Sequence, residues 1–297
     1  MSKPQLFITG GTGFIGRALV AALKGRFAIT ALTRNPDKAR ALLGEDISLC
    51  ANVPDLTGMD AVINLAGEPI ADKRWSQHQK RRLESSRWQL TEELVNAMAK
   101  APPRVFISGS AIGYYGPQSP DTIVTESYSA ITDDFAHRLC AGWEQRALKA
   151  QEFTRVCLLR TGVVLGKGGG ALHKMLPPFK LGLGGRIGSG EQMMSWISHT
   201  DMVAAILFLL DREDLSGAFN CTAPNPVSNS ELTQALGRAL GRPTLLPMPP
   251  LAAKLLLGEG ATLLLDGQKV IPKRLLEAGF VFQHPELDGA LAAQLRA

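Results

Sequence analysis

The sequence predicts an α/β protein whose core is a doubly wound parallel sheet. Short apolar runs of strand length alternate with stretches of helical periodicity up to about residue 165, the pattern of repeated strand–helix–strand units. A glycine-rich turn, residues 9–16, joins the first apolar run to the first helical stretch. The composition, 45% hydrophobic and 20% charged residues among 297, is typical of a globular protein and excludes collagenous, disordered and disulfide-framework classes.

The predicted strands are apolar runs bounded by turn residues. They are residues 5–9, 27–33, 60–65, 104–108, 155–165 and 218–221. The predicted helices carry apolar side chains at intervals of three or four residues. They are residues 13–24, 35–43, 77–100, 135–150, 202–210 and 230–240. Pro36 suits the first turn of the second helix, where a missing N–H is tolerated.

Glycine and proline are concentrated in two stretches of the second half of the chain. Eight glycines fall within residues 168–190, with two prolines between them, which predicts a loop that wraps a ligand. We therefore expect residues 168–200 to form a glycine-rich substrate-side loop within a nucleotide-binding domain, residues 1–227. The proline-rich stretch 243–250 predicts a boundary, followed by a small, mostly helical C-terminal domain on the substrate side, residues 243–293.

Charge and cysteine content exclude several kinds of partner. The net charge of +5 includes no run of five like charges, so we expect no nucleic-acid partner. The four cysteines form no CxxC pair and have no histidine at zinc-ligand spacing, so we expect reduced thiols and no metal. The N-terminus leaves no room for a signal peptide, and the longest apolar runs are far shorter than the roughly 20 residues that span a bilayer. We expect a cytoplasmic protein without a membrane partner.

The glycine-rich turn predicts a dinucleotide site. Gly10, Gly13 and Gly16 have the spacing at which the backbone can approach a pyrophosphate and the following helix can lie close to the sheet. The N-terminus of that helix offers free N–H groups and the positive end of its dipole. The residues expected to contact the cofactor here are Gly10, Thr12, Gly13, Phe14, Ile15 and Gly16.

The end of the second strand indicates which dinucleotide binds. An NAD site usually places a carboxylate there for the ribose 2′-hydroxyl, whereas a cation suits the 2′-phosphate of NADP. This chain has Thr33 and Arg34 at that point and no acidic residue before Asp37. Because a guanidinium can grip a phosphate with paired N–H groups, we expect NADP(H), with an ordinary surface arginine as the alternative. At the end of the third strand, residues 64–67, Asn-Leu-Ala-Gly, include small residues that let a cofactor pass over the backbone, and the alternative is a plain loop after a buried strand. The expected cofactor contacts here are Leu65, Ala66 and Gly67.

These motifs resemble the extended short-chain dehydrogenase/reductase superfamily of the NAD-dependent epimerase/dehydratase type. Residues 160–166, 188–201 and 217–220 resemble later motifs of that family. A closer resemblance is to the atypical epimerase family proteins that carry a C-terminal domain of unknown function. It rests on residues 64–70, 74–75, 86–87, 110–116, 143–144, 258–259, 267–272 and 278–280, and it spans essentially the whole chain. The resemblance implies an extended Rossmann fold.

The resemblance also implies further cofactor contacts. In the family, an asparagine four residues before a threonine contacts the cofactor; here Thr91 marks that register and Arg87 replaces the asparagine. A guanidinium there can bond pyrophosphate or ribose oxygens, although a merely exposed arginine is an equal alternative. Arg82 is a weaker candidate for the same cleft. The backbone of Ser108, which ends a strand facing the crevice, and Val163, within the 160–166 motif, complete the expected contacts.

The catalytic dyad of the family is absent. Family members use a tyrosine as general acid/base and a lysine four residues later, because that spacing places both on one helix face. The residues four places after the three tyrosines are Gln118, Ser119 and Thr132, and the family positions fall on Ala136 and Cys140. The remaining acid/base candidates are Ser110, Tyr114, Tyr115 and Glu68.

Three interpretations follow from the missing dyad. The chain is an NADP-dependent oxidoreductase with rewired acid/base groups, an NADP(H)-binding sensor or partner-binding protein without turnover, or an isomerase or lyase of different chemistry on the same scaffold. The substrate, a small molecule, is not specified by the sequence. Helices 77–100 and 135–150 are the expected contact if the protein is a homodimer.

Overall fold

A computed structural model describes residues 2–296 of the chain. The strands are β1 (Gln5–Thr9), β2 (Ala28–Leu32), β3 (Ser48–Cys50), β4 (Ala61–Asn64), β5 (Val105–Ala111), β6 (Ile123–Val124), β7 (Arg155–Thr161), β8 (Val163–Gly166), β9 (Met193–Met194), β10 (Trp196–Ser198), β11 (Gly217–Cys221), β12 (Val227–Ser228) and β13 (Lys269–Val270). The helices are α1 (Phe14–Leu23), α2 (Pro36–Leu43), α3 (Gln77–Met98), α4 (Phe135–Leu148), α5 (Gly170–Lys180), α6 (His199–Asp211), α7 (Asn229–Leu240), α8 (Pro250–Leu257), α9 (Thr262–Leu265), α10 (Lys273–Glu277) and α11 (Leu287–Arg296).

Seven parallel strands form the central sheet in the order β11-β7-β5-β4-β1-β2-β3. The chain runs outward from β1 through β2 and β3 on one side, and from β4 through β5 and β7 on the other. The order therefore reverses between β1 and β4, and such a reversal opens a crevice at the carboxyl ends of the strands. The predicted doubly wound parallel sheet is confirmed, and β3 is a strand that the periodicity did not predict.

Apolar side chains cover both faces of the sheet. On one face, the buried surfaces of α1 and α6, including Leu19 and Ile206, pack against alternate strand residues such as Ile8. On the other face, α3 and α4 do the same through residues such as Leu94 and Ala147. Burial on both faces explains why β1, β4 and β5 read as continuous apolar runs, because no strand position faces water.

Two predictions on the second half of the chain are wrong. The run 155–165 is two strands, because Gly162 turns the chain between them: β7 belongs to the central sheet and β8 pairs with β10. A side chain at Gly162 would lie 2.5 Å from the Ser195 carbonyl oxygen, so only glycine fits there. The predicted loop 168–200 contains α5, β9 and β10. Helix α5 forms despite its two prolines because Leu172, Leu176 and Phe179 are buried on one face of it.

The C-terminal region is mainly helical, as predicted, and it packs into the cores of the rest of the chain. Leu275 and Phe280 join the cluster beneath α1 and α6, and Leu291 joins the cluster of α5 and α7. Strand β13 pairs with β6. Within residues 2–296, no helix is both long enough and apolar enough to cross a membrane.

Asp201, in the first turn of α6, anchors this region. Its carboxylate is fully buried and accepts hydrogen bonds from the backbone N–H groups of Gln283 (2.7 Å) and His284 (3.0 Å). It also accepts a bond from the Ser198 hydroxyl at 2.8 Å, and that hydroxyl caps α6. The buried carboxylate therefore satisfies three donors contributed by two distant parts of the chain.

Replacing Asp201 with alanine should lower the free energy of unfolding by about 2–4 kcal/mol, since three buried donors would lose a charged acceptor. Urea unfolding of Asp201→Ala against the wild type measures the loss. The control is Asp288→Ala, which removes an exposed carboxylate paired with Arg238 and should cost about 1 kcal/mol or less. Equal losses in the two variants would contradict an anchoring role for Asp201.

Candidate functional site

The glycine turn between β1 and α1 lies at the point where the strand order reverses. Gly10 has φ of 71°, and a Cβ atom there would lie 2.6 Å from the carbonyl carbon of Leu65. A Cβ atom at Gly16 would lie 2.1 Å from the Gly10 oxygen. Glycine is therefore required at both positions for the turn to approach the end of β4 and for α1 to approach the turn. The structure thus brings Gly10, Gly16, Leu65 and Ala66 together.

The first turn of α1 is suited to an anion. Gly13 occupies the N-cap position and supplies no side-chain acceptor for the helix N–H groups. Such groups, together with the positive end of the helix dipole, form a site for a phosphate. Thr12 and Ile15 lie half-buried beside this cap.

The Phe14 side chain packs against His199 and against the glycines between β8 and α5. Its ring stacks on His199 with centroids 4.2 Å apart, and the His199 Nε2 atom lies 3.0 Å from the Phe14 oxygen. Cβ atoms at Gly166 and Gly169 would lie 2.5 and 2.8 Å from the same ring. Only the backbone of Phe14 is therefore left at the helix N-terminus. Sequence reasoning missed the His199 contact, because nothing in the spacing links residues this far apart.

Thr33 and Arg34 follow β2 at the edge of the crevice. The Thr33 hydroxyl is engaged in a local turn with Asn35, at 3.2 Å from both its N–H and its carbonyl oxygen. Arg34 is exposed, and its guanidinium makes no hydrogen bond or ion pair with any residue from 2 to 296. A free cation therefore stands at the strand end where the sequence predicts a 2′-phosphate site.

A buried chain of hydrogen bonds fixes the carboxyl ends of β1 and β4. The Thr9 hydroxyl donates to Asn64 Oδ1 at 2.6 Å, and Asn64 Nδ2 donates to the Thr91 hydroxyl at 2.9 Å. The Trp143 indole N–H donates to the same hydroxyl at 2.9 Å. This chain ties two strands to α3 and α4. The sequence indicates Thr91 only as a register mark and does not predict this chain of hydrogen bonds.

Arg87 faces the loop after β4, the loop that contains Gly67. Its guanidinium donates to the carbonyl oxygens of Leu83 (3.1 Å) and Glu68 (3.0 Å) and lies over the Trp143 ring at 5.2 Å. Burial lowers the pKa of Arg87. A Cβ atom at Gly67 would lie 2.9 Å from the guanidinium carbon, so the glycine makes room for the arginine. No carboxylate of the described chain bonds this charge directly.

Arg82 lies nearer the surface than Arg87. Its Nη2 atom is 3.3 Å from the Glu68 carboxylate, which also lies 3.5 Å from Lys73 Nζ. Glu68 itself is largely shielded, with its N–H donating to the Ser86 hydroxyl at 3.0 Å. Arg82 thus belongs to an ion-pair cluster with Glu68 and Lys73 near the surface, whereas Arg87 bonds only neutral groups of the described chain.

A buried ion pair supports the acid/base candidates at the end of β5. Arg160 on β7 bonds Glu144 on α4 in a bidentate manner, at 2.9 Å from Nε and 2.8 Å from Nη2. The bonds to Glu144 outweigh the effect of burial and raise the pKa of Arg160. The Ser110 hydroxyl donates to the same carboxylate at 2.6 Å. Ser110 is therefore buried, and its proton is committed to Glu144.

The neighbouring tyrosines Tyr114 and Tyr115 differ in burial and in the hydrogen bonds of their hydroxyl groups. Tyr115 is 0% exposed; its hydroxyl accepts from Arg160 (2.9 Å) and donates to Asn220 (2.7 Å). Burial raises the pKa of Tyr115 to about 12. The structure thus places Tyr115 out of reach of a substrate, contrary to its choice as a candidate. Tyr114 is half-buried, its ring lies 3.6 Å from the Arg160 guanidinium carbon, and its hydroxyl bonds no residue that the structure describes.

The two helix positions to which the resemblance assigns the family dyad are buried. Ala136 and Cys140 are both buried on α4, and a Cβ atom at Gly113 would lie 3.2 Å from the Ala136 Cβ and 3.6 Å from the Cys140 sulfur. Burial raises the pKa of the Cys140 thiol to about 12, so it stays protonated at neutral pH. Cys140 therefore supplies neither the positive charge of a lysine nor a nucleophilic thiolate.

The last two predicted cofactor contacts, Ser108 and Val163, differ in burial. Ser108 is fully buried within β5, and its hydroxyl donates to the Gly109 oxygen at 3.4 Å, so its side chain does not reach the crevice. Val163 is half-buried at the start of β8, where its N–H donates to the Ser195 oxygen at 2.8 Å. Among residues 2–296, no group of three or more His, Cys, Asp or Glu side chains could hold a metal ion.

The chain is similar to known proteins in both sequence and fold. The chain is 43% identical to the Arabidopsis thaliana chloroplastic homologue of epimerase family protein SDR39U1, over 98% of this chain and 87% of that protein. The crystal structure of human SDR39U1 with NADPH superposes with a TM-score of 0.88 at 35% identity, covering 98% of this chain and 99% of that one. UDP-glucuronic acid 4-epimerase from Bacillus cereus shares the fold, with a TM-score of 0.78 at 17% identity over 98% of each chain.

Two family descriptions match separate parts of the chain. Residues 248–294 match a domain of unknown function, DUF1731. Residues 6–222 match the NAD dependent epimerase/dehydratase family, which is most of the sequence and all of the central sheet. The resemblance seen in the motifs is thereby confirmed, and the chain belongs to the NAD dependent epimerase/dehydratase family.

Proposed function

We propose that the protein binds NADP(H) in the crevice between β1 and β4 and acts as an epimerase-like oxidoreductase on a small molecule. The observation that carries this proposal is the free guanidinium of Arg34 beside the glycine turn. An unpaired cation at the end of β2 attracts a 2′-phosphate, whereas an NAD site needs an acceptor for the 2′-hydroxyl at that point. NADPH in the crystal structure of human SDR39U1 supports the same choice.

The residues present fit a dinucleotide along its whole length. Gly10 and Gly16 let the turn pack closely against the end of β4 and against α1, Gly13 leaves the α1 N-cap without a side chain, and that helix N-terminus suits the pyrophosphate. Leu65–Gly67 forms the wall of the crevice beside β4. The guanidinium of Arg87 has two neutral carbonyl partners and no bonded carboxylate, so it can also bond a ribose or phosphate oxygen.

The chemistry beyond binding depends on this chain's own groups. When bound, NADP(H) supplies the acceptor or donor of a hydride. Tyr114 is the one of the three named hydroxyl candidates whose proton is not already committed within the described chain. We assign Tyr114 the transfer of a proton to or from a substrate oxygen. The Arg160–Glu144 pair holds the Tyr114 ring from beneath and therefore positions it.

A second function follows from the same geometry. Ser110 and Tyr115 are bonded internally, the family dyad positions carry Ala136 and Cys140, and Cys140 is protonated. A chain with this arrangement can hold NADP(H) without turning over a substrate and report the redox state to a partner. Substrate turnover that depends on Tyr114 distinguishes the oxidoreductase from the non-catalytic NADP(H)-binding protein.

Replacing Arg34 with aspartate should remove the preference for NADP(H). Titration calorimetry with NADPH and NADH should give the wild type at least a tenfold preference for NADPH, about 1.4 kcal/mol. Arg34→Asp should lose that preference, because a carboxylate repels the 2′-phosphate and accepts a bond from a 2′-hydroxyl. Lys100→Asp, the same charge change at an exposed residue after α3, should keep it. A wild type that binds neither dinucleotide would overturn the proposed cofactor site.

Replacing Tyr114 with phenylalanine should abolish turnover while leaving NADPH affinity within about twofold of the wild type. Loss of a general acid or base typically lowers the rate by about 10²–10⁴-fold. The measurement is loss of NADPH absorbance with a panel of small carbonyl compounds, using Tyr128→Phe as the control because that hydroxyl bonds Gln118. If both variants turn over like the wild type, Tyr114 is not the acid/base. If the wild type oxidises no NADPH with any compound, the non-catalytic function is favoured.

A further inference from the structure

Most of the exposed large apolar side chains lie in one part of the molecule. Of the eleven such residues within the described chain, seven are leucines in the segments 181–183 and 245–256. They are 53–81% exposed. We call this set the leucine face, and its members are Leu181, Leu183, Leu245, Leu246, Leu251, Leu255 and Leu256.

The two segments run side by side, so these leucines form one surface. The Met248 N–H donates to the Arg186 oxygen at 2.8 Å, and the Gly188 N–H donates to the Met248 oxygen at 3.0 Å. A Cβ atom at Gly185 would touch the Leu246 oxygen, at 2.0 Å. Helix α8 begins at Pro250, within the second segment.

Helix α8 turns its apolar side outward. At 3.6 residues per turn, Leu251 and Leu255 lie about 40° apart around the helix axis, and Lys254 lies about 60° to one side of Leu251. All three are exposed, whereas Ala253 on the opposite side is fully buried. A soluble helix normally shows the reverse arrangement, with leucines towards the core. The helix therefore offers an apolar strip flanked by a cation.

The charged residues within the two segments of the leucine face and their flanks are all positive. Beyond these segments lie Glu191, Glu259, which pairs with Lys80, and Asp266, which interacts with Lys254. Residues 180–190 and 241–258 contain no aspartate or glutamate, and their charged residues are Lys180, Arg186, Arg242 and Lys254. All four are exposed. None of them is in an ion pair with another residue of the described range 2–296. The partner of this surface must therefore accept both leucine side chains and positive charge.

We infer that the leucine face docks on an anionic lipid surface. Leucines immersed at the headgroup boundary and lysines or arginines beside acidic headgroups are the two features of interfacial binding. A symmetric pairing of two copies would place cation against cation, which disfavours it. Protein interfaces also concentrate aromatic residues, and this surface contains none. The absence of a spanning segment, from which we expected no membrane partner, does not bear on docking at the surface.

Co-sedimentation with vesicles tests this inference on the full-length protein. Binding should be strong with equimolar phosphatidylcholine and phosphatidylglycerol, weak with phosphatidylcholine alone, and reduced by high salt. The double variant Leu251→Ser/Leu255→Ser and the single variant Lys254→Glu should each lower the partition coefficient at least tenfold. Val281→Ser removes an equally exposed apolar side chain elsewhere and should bind like the wild type.

Two further measurements keep the outcomes distinct. Thermal melting and NADPH titration should be unchanged in the leucine variants, so that lost vesicle binding is not lost folding or a lost cofactor site. Absence of binding to anionic vesicles at low salt overturns the inference. So does a lipid-free dimer in sedimentation velocity that the double leucine variant dissociates, because a second copy would then cover the face.

Discussion

The buried ion pair between Arg160 and Glu144 is the interaction on which the substrate-facing half of the structure depends. It joins the central strand β7 to α4, and each polar group around it is bonded in turn: Ser110 to the carboxylate, and Tyr115 to the guanidinium. Removing either charge would leave the other buried without its partner, which is far more costly than losing a surface pair. The pair therefore immobilises the turn after β5, where Tyr114 lies.

The same network reaches the C-terminal region. Tyr115 donates to Asn220 on β11, and Asn220 Nδ2 donates to the Ile271 oxygen just beyond β13. Asp201 makes the second attachment, to residues 283 and 284. The segment that carries α8 and its exposed leucines thus belongs to a region held by these polar bonds as well as by the apolar contacts of Leu275, Phe280 and Leu291. Such bonds fix orientation as well as contributing stability, because a displaced donor would be left unsatisfied.

The crevice is held by residues other than the acid/base candidates. The glycine turn and the Thr9–Asn64–Thr91–Trp143 chain hold the ends of β1 and β4 in the arrangement that a dinucleotide requires. On α4, Ala136 and Cys140 are both buried. The residues suited to cofactor binding and the acid/base candidates are different, so either set can alter without the other.

The sequence by itself determined the elements and the dinucleotide turn, since strand length, helical period and glycine spacing are local properties read along the chain. It predicted the strands before Gly162 closely, apart from the short β3 and β6. It could not predict that Gly162 splits an apolar run between two sheets, or that Tyr115 is buried while Tyr114 is free, because those outcomes depend on Ser195, Arg160 and Asn220, which are distant in sequence. Burial and charge compensation are decided only when distant segments pack. Only the tertiary structure, therefore, could separate the predicted site residues that face the crevice from those that serve the core.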